Sequence, residues 1–296
     1  MSYLDLDYYR DRVRELYASP YVDSPYLVSL ETMALCNAAC DFCPYPSLER
    51  KGVAMDDDLL WKILHEFRDF PRGLPVILTP SRVNEPFLDK RIFEIAEWVN
   101  QELPHFSFNF FSNASPLTPA NLLRLATVRN INILVLSIND HRPEVYEKVM
   151  QLPFQRTMQR VSEAHELKRD GKLYFQIILS RVGDHSVHDE EFRSWAGQTF
   201  PLFDVWVTPR ADWIGAVKTV VSPVPDVGCT QWFELHVMAN GKEAFCCMDS
   251  GGKLGTADAR NMHLLEIYNQ PAKRQLRLSR GTRSTFWPCN VCPLPA

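Results

Sequence analysis

The eight residues CNAACDFC, at positions 36–43, hold three thiols in a C-x3-C-x2-C pattern: Cys36, Cys40 and Cys43. An apolar run at 26–32 precedes them, so we expect them in the loop at the C-terminal end of a β-strand. Three thiolates ligate three of the four irons of a 4Fe–4S cubane and leave the last iron open to a chelating ligand. The alternative is a zinc site, although zinc prefers a closed set of four ligands.

Short apolar runs alternate with helical patterns over most of the chain, after a predicted N-terminal helix at 7–18. The predicted strands lie at 26–32, 75–79, 106–111, 133–138, 174–179 and 204–208. The predicted helices between them lie at 57–70, 91–102, 119–127, 143–150, 157–169 and 188–197. Six strands separated by helices indicate βα units and a parallel sheet or barrel.

The cysteine spacing, with Phe42 before the third thiol, resembles the signature of the radical S-adenosylmethionine (radical SAM) superfamily. The resemblance implies an α/β fold with a partial (β/α)6 barrel over 25–215, preceded by a helix and linker at 1–24. It also implies that S-adenosylmethionine (AdoMet) chelates the open iron, and that one electron cleaves it to a 5′-deoxyadenosyl radical. Phe42 is counted among the cofactor-binding residues.

Four further positions at strand ends are expected to contact AdoMet through this resemblance. The segment VNEP at 83–86 stands where the family has a Gly-Gly-Glu-Pro-like segment; it lacks the glycines but keeps Glu85, which would accept from the ammonium group. Asn113 would reach the ribose, Ser137 is aimed at the same face, and Arg181 would pair with the carboxylate of AdoMet. The alternative for each is an ordinary loop acid or cap.

A second group of cysteines, Cys229, Cys246, Cys289 and Cys292, lies in the C-terminal part of the chain. A Val- and Pro-rich linker is predicted at 219–228, then a hairpin of 233–238 and 243–248 with an Asn-Gly turn. Two helices are predicted around 263–269 and 272–280. This segment, 216–296, resembles the shortened SPASM module called a twitch domain, which implies one auxiliary 4Fe–4S cluster. The alternative is a structural zinc site with four thiolates.

Of the eight cysteines, Cys247 is the one outside these two sets, and it directly follows Cys246. If 243–248 is a strand, the two side chains point to opposite faces, so one ligates the auxiliary cluster and the other faces the barrel mouth. A thiol can return a hydrogen atom to a carbon radical, which makes Cys247 the candidate catalytic residue. The alternatives are a buried inert thiol and an exchange of roles in which Cys247 is the ligand.

This combination resembles the radical epimerases of aminoglycoside biosynthesis that convert neomycin C to neomycin B. It implies inversion of a sugar carbon, with hydrogen returned from Cys247. The next resemblance is to the dehydrogenases that act on 2-deoxy-scyllo-inosamine, which oxidise an amino-cyclitol or sugar alcohol and need no thiol donor. Peptide modification is disfavoured, since only about 25 residues precede the first strand. A non-catalytic iron–sulfur carrier would gain nothing from an open iron.

Composition and charge restrict the partners and the compartment. A formal net charge of −4 gives no indication of a nucleic-acid partner, and no apolar run approaches the ~18 residues of a membrane span. The N-terminus lacks a secretory pattern, so we expect a cytoplasmic protein in which cysteines ligate metals rather than form disulfides.

The partners implied are a small-molecule substrate, of aminoglycoside or amino-sugar type, and an electron donor such as flavodoxin or ferredoxin. Carboxylates and aromatic rings near the barrel mouth would suit an amino sugar. The candidates are Glu31, Asp140, Asp212, Asp249, Trp213 and Trp232.

Overall fold

The computed structural model describes residues 6–219 and 224–292, and across these residues eight strands form a single sheet. Their bounds are Leu27–Leu30 (β1), Val76–Thr79 (β2), Phe106–Ser112 (β3), Ile131–Ser137 (β4), Gln176–Gly183 (β5), Asp204–Pro209 (β6), Glu234–Val237 (β7) and Glu243–Ala244 (β8). The order is β6-β5-β4-β3-β2-β1-β7-β8, and only β7 and β8 pair antiparallel. The predicted α/β fold with a partial barrel is confirmed.

Helices connect the parallel strands, and several of them begin at a side-chain cap. Their bounds are Leu6–Tyr17 (α1), Asp57–Glu66 (α2), Ile92–Glu102 (α3), Pro119–Leu125 (α4), Pro143–Met150 (α5), Phe154–Arg169 (α6), Val187–Thr199 (α7), Leu264–Tyr268 (α8) and Pro271–Ser279 (α9). The carboxylate of Asp56 accepts from the backbone N–H of Leu59 at the start of α2. Each helix in the described ranges lacks the combination of length and apolar content that a membrane span requires.

Alternate residues of the strands face two different environments. Val28 and Leu30 of β1 and Leu235 of β7 belong to the main apolar core, together with side chains of α2 and α3. Ser29 points to the opposite face, where its hydroxyl donates to the carbonyl of Ser81 at 3.0 Å. Because the helices cover the first face, the second is the inner face of the barrel.

The strand predicted at 243–248 is wrong beyond Ala244. The carboxylate of Asp249 accepts from the backbone N–H of Phe245 at 3.1 Å, so the chain turns there instead of continuing to pair with β7. Cys246 and Cys247 therefore lie in a turn. The other predicted elements agree with the structure to within a few residues at their ends.

The C-terminal segment continues the sheet of the barrel. β7 pairs parallel with β1, with Leu27 opposite Glu234. The division of the chain at residue 215 stays a prediction, and of the predicted linker at 219–228, residues 220–223 lie outside the described residues.

Candidate active site

The first cysteine set, Cys36, Cys40 and Cys43, lies in the loop that follows β1 at the C-terminal edge of the sheet. Backbone N–H groups of Ala39 and Asp41 donate to the carbonyls of Met150 and Val149, both at 3.2 Å. The sulfur atoms of Cys40 and Met150 are 3.5 Å apart. The end of α5 therefore fixes the loop that carries the three thiols.

Burial determines the protonation of these thiols in the protein alone. It raises the pKa of Cys36 to about 12 and raises the pKa of Cys40 further, with the neighbouring thiols adding to the shift. The pKa of Cys43 is also raised by burial. A bound metal reverses this preference, because a coordinating thiol loses its proton.

Glu85 lies beside the first cysteine set, as the sequence predicts, and is 2% exposed. Its carboxylate accepts from the backbone N–H of Asn113 at 2.7 Å and from the hydroxyl of Ser112 at 2.9 Å. Burial raises the pKa of Glu85 to about 7 against these hydrogen bonds, which lower it. The side chain of Asn113 donates to Asn37 at 2.8 Å and lies 3.9 Å from the sulfur of Cys36. The structure thus brings Glu85 and Asn113 to the cysteine loop.

Ser137 ends β4 on the inner face, next to Ser180 of β5. The two hydroxyl oxygens are 3.4 Å apart, and both side chains are partly exposed. Leu136 and Ile138 belong to the apolar core on the other face. Ser137 and Ser180 therefore present hydroxyl groups to the space inside the barrel.

Arg181 lies one residue further along β5, and its guanidinium group is engaged by the protein. It donates to Asp189 at 2.8 Å and to Asp140 at 3.0 Å. Asp140 is 2% exposed and is also paired with Arg142 at 2.8 Å. The contacts of Arg181 are those of a buried ion-pair network between β4, β5 and α7.

We predict that Arg181→Met lowers the free energy of unfolding by about 3 kcal/mol, because two carboxylates lose a buried partner. Urea denaturation measures this. The control is Arg193→Met on α7, whose contact with Glu190 is 3.8 Å long and lies at the surface, so the expected change is below about 1 kcal/mol. Equal stability of the two variants, with weaker AdoMet binding only in Arg181→Met, would contradict this and support the predicted cofactor contact.

The other carboxylates expected near an amino-sugar substrate also form hydrogen bonds within the protein. Glu31 is fully buried and forms two hydrogen bonds of 2.7 Å with Arg50. Asp249 accepts from backbone N–H groups of the turn that contains Cys247, including that of Lys253 at 2.9 Å. Asp212 accepts from the backbone N–H of Ile214 at 3.1 Å. These carboxylates act as structural acceptors here.

The second cysteine set, Cys229, Cys246, Cys289 and Cys292, surrounds one small cavity. The indole N–H of Trp232 lies 3.5 Å from the sulfur of Cys289. The apolar core around the set also includes Phe245 and Leu16 of α1. The four thiols therefore line one largely apolar site.

The N-terminal helix belongs to this site as well. The hydroxyl of Tyr9 accepts from the guanidinium of Arg283 at 2.6 Å and from the backbone N–H of Thr230 at 3.0 Å. Burial, followed by the nearby Cys229, raises the pKa of Tyr9. Nothing local in the sequence predicts this contact, because it joins residues 274 positions apart.

Cys247 is not among the described residues that line the cavity of the second cysteine set. Its backbone N–H donates to the side-chain oxygen of Gln231 at 3.1 Å, and the amide of Gln231 donates to Glu234 at 2.8 Å. Arg82, in the loop after β2, donates to the carbonyls of Cys246 and Asp249 at 3.3 and 3.1 Å. The turn is thus held between β7 and the edge of the barrel.

Burial and the neighbouring thiol of Cys246 raise the pKa of Cys247, which favours the protonated thiol. The sequence analysis missed Arg82 and Gln231 as the residues that hold this turn. The position of Arg82, directly before the VNEP segment at 83–86, was the available signal, since that segment lies at the same edge of the sheet.

The donors present fit iron–sulfur clusters. Thiolates are the ligands of such clusters, and three in one loop and four around one cavity match an open and a fully ligated cubane. Across 6–219 and 224–292, no three Cys, His, Asp or Glu side chains form a group that could hold a single metal ion.

Comparison with known families identifies the class of protein. Residues 30–193, more than half of the chain, match the model of the radical SAM superfamily. The chain belongs to this superfamily and is therefore an enzyme of the radical SAM class. No curated protein matches it significantly.

Solved structures share the fold over most of the chain. BtrN in complex with AdoMet and 2-DOIA is 16% identical, with a TM-score of 0.60 over 91% of this chain and 93% of BtrN. SuiB from Streptococcus suis, bound to the precursor peptide SuiA, is 14% identical, with a TM-score of 0.70 over 96% of this chain and 73% of SuiB. The enzyme anSMEcpe, with bound AdoMet and Cp18Cys peptide, is 12% identical, with a TM-score of 0.62 over 84% of this chain and 81% of its own. At these identities the likeness carries the fold alone.

Proposed function

We propose that this protein is a radical SAM epimerase that inverts a carbon of an aminoglycoside-type sugar. Hydrogen would be removed from one face of that carbon, and Cys247 would return a hydrogen atom to the other. The observation that carries the proposal is the position of Cys247: it packs against the core of the second cysteine set but does not line its cavity, and Arg82 at the edge of the barrel holds the carbonyls of Cys246 and Asp249 on either side of it.

The two cysteine sets would hold the cofactors. The first would bind a 4Fe–4S cluster and AdoMet, which when bound supply a 5′-deoxyadenosyl radical that removes the hydrogen. Glu85 and Asn113, hydrogen-bonded to each other beside Cys36, would orient AdoMet together with Phe42 and Ser137. The second set would hold an auxiliary 4Fe–4S cluster. Cys246 is the supported ligand in preference to Cys247, because only Cys246 lines the cavity.

The return of hydrogen breaks the S–H bond of Cys247 and forms a C–H bond on the substrate. The sulfur radical then needs one electron and one proton before the next turnover. A flavodoxin- or ferredoxin-type donor would supply the electron. Gln231 and Arg82 act as positioning residues here, since they fix the backbone on both sides of the thiol.

The inner face of the barrel suits a substrate rich in hydroxyl groups. Ser137 ends β4, Ser180 lies opposite it on β5, and Thr208 lies near the end of β6; all three side chains are partly exposed. Phe111 is 38% exposed, and Trp206 is also partly exposed. Uncharged hydroxyls beside aromatic faces can hydrogen-bond and stack on a sugar or cyclitol ring.

A second candidate is oxidation of an amino-cyclitol or sugar alcohol. The structural likeness to BtrN bound to AdoMet and 2-DOIA, over nearly the whole of both chains, favours it. In this case Cys247 would have no role as a hydrogen donor. The two candidates therefore differ in the mass of the product.

The test is an oxygen-free reaction of the reconstituted enzyme with AdoMet, dithionite and neomycin C. A product of unchanged mass with one inverted carbon is the expected result. A product two hydrogens lighter would replace epimerisation by oxidation. Release of 5′-deoxyadenosine with neomycin C unchanged would exclude neomycin C as the substrate and still support radical chemistry. Absence of AdoMet cleavage would support a non-catalytic electron carrier instead.

A further inference from the structure

We propose that Trp213 is the bridge through which electrons pass between the two cysteine sites. The inference rests on the two clusters of the proposed function, but on neither the substrate nor Cys247. The ring of Trp213 would serve as the contact between the sites and would be neither oxidised nor reduced itself.

Trp213 packs against both sites at once. Its ring lies against an apolar group that includes Ala34, Tyr45 and Val83, to which Cys36 and Cys43 also pack. The same ring packs against the core around the second cysteine set, which includes Phe245 and Met248. Among the residues described, Trp213 is the one side chain that packs against both groups.

Hydrogen bonds attach the segment around Trp213 to the first cysteine loop. Its indole N–H donates to the carbonyl of Phe42, next to Cys43, at 3.1 Å. Three residues earlier, Arg210 donates to the carbonyl of Asp41 at 2.5 Å. One residue later, Ile214 lines the cavity of the second cysteine set. Residues 210–214 thus connect the two sites directly.

The backbone at this point adopts a costly conformation. Trp213 and Ile214 have φ angles of +53° and +55°, in the left-handed region. This region is unfavourable for a residue with a side chain, and a β-branched residue is rarely found there. Asp212 holds the turn, since its carboxylate accepts from the N–H of Ile214 and its carbonyl from that of Val217. Such strain is retained where surrounding contacts fix a functional geometry.

The proposed transfer moves one electron. An external one-electron donor reduces one cluster, that cluster loses the electron, and the other gains it; no bond is made or broken. Electronic coupling decays less steeply through a path of closely packed atoms than across a gap. Trp213 supplies that path.

The experiment measures electron exchange between the clusters without substrate. Protein with both clusters is mixed with less than one equivalent of dithionite and freeze-quenched, and electron paramagnetic resonance follows the two signals over time. AdoMet identifies the first cluster, because it binds there. In Trp213→Leu we expect exchange to be slower than in the unmodified protein, since the side chain no longer spans the sites. In Trp213→Phe, which keeps an aromatic ring, we expect a rate close to that of the unmodified protein.

Trp287→Leu is the matched control. Trp287 is 62% exposed and lines the same surface groove as Trp213, but it is not part of the group around the first cysteine set. Its exchange rate should be unchanged. An unchanged rate in Trp213→Leu would overturn the proposal.

The iron content and the midpoint of thermal unfolding of each variant distinguish slower electron exchange from a loss of structure. If Trp213→Leu loses iron, Trp213→Met gives the same comparison with a flexible side chain that fills irregular space. If both lose iron from the second site only, Trp213 is a structural residue of that site and the electron path is overturned. If the unmodified protein binds only about four irons, the two-cluster function itself fails, whatever the role of Trp213.

Discussion

Replacing Cys40 with alanine is expected to abolish the cleavage of AdoMet to 5′-deoxyadenosine. Cys40 lies in the loop held by α5, with its sulfur 3.5 Å from that of Met150, and the other two thiols of that loop, Cys36 and Cys43, are themselves needed as ligands. The variant should also lose about half of its iron, since one cubane of the two would not assemble. The loss of cleavage should exceed about a thousandfold, as it does when one member of a catalytic unit is removed.

Chromatography of 5′-deoxyadenosine and a colorimetric iron assay measure both effects. Cys289→Ala is the matched control, because it removes a ligand of the second cysteine set and should lose a similar share of the iron. It should retain AdoMet cleavage, which depends on the first set. AdoMet cleavage by Cys40→Ala would contradict the assignment of the first cysteine set.

Replacing Cys247 with serine should give the second large effect, which is loss of the inverted product with iron content and AdoMet cleavage retained. An O–H bond is too strong to give its hydrogen atom readily to a carbon radical, so we expect product formation to fall by about a hundredfold or more. The backbone contacts of the turn to Gln231 and Arg82 do not involve the Cys247 side chain and should remain.

Cys246→Ser is the comparison that separates the two adjacent thiols. Cys246 lines the cavity of the second set, so its replacement should reduce the iron content. If instead Cys247→Ser lost iron and Cys246→Ser retained it, the two roles would be exchanged. If both variants kept their iron and formed the full amount of product, neither thiol would be the hydrogen donor.

The sequence predicted the parts of the fold that depend on local patterns. The alternation of strands and helices and the spacing of the first three cysteines follow from short-range periodicity and loop length. The place of β7 beside β1 in the sheet could not be predicted, because 207 positions separate Leu27 from its partner Glu234. Pairing over such distances is determined by packing of the whole chain.

The site was predicted only in part, for similar physical reasons. Glu85 and Asn113 lie at the first cysteine loop, since the ends of parallel strands meet at one edge of the sheet. Arg181 lies at a strand end too, but Asp189 of α7 and Asp140 engage its guanidinium group. The position of a residue in a strand predicts where its backbone lies in the sheet. It does not predict the ionic partners of the side chain, which come from other helices and loops.

The contrast between Cys246 and Cys247 shows a different limit. The sequence separated the two thiols by strand alternation, whereas in the structure they lie in a turn that Asp249 holds through backbone hydrogen bonds. A short polar side chain that accepts from nearby backbone N–H groups competes with strand pairing. Asp249 is present in the sequence, but the sequence does not show that its hydrogen bonds end β8 at Ala244.

The central claim, that the Cys247 thiol returns hydrogen to the substrate, is tested most directly in deuterium oxide. The enzyme is exchanged into this solvent without oxygen and reacted with neomycin C, AdoMet and dithionite, and the product is read by mass and stereochemistry. Because a thiol exchanges its proton with solvent, we predict an inverted product that carries one non-exchangeable deuterium. An inverted product without deuterium, or one that forms equally well in Cys247→Ser, would contradict the account.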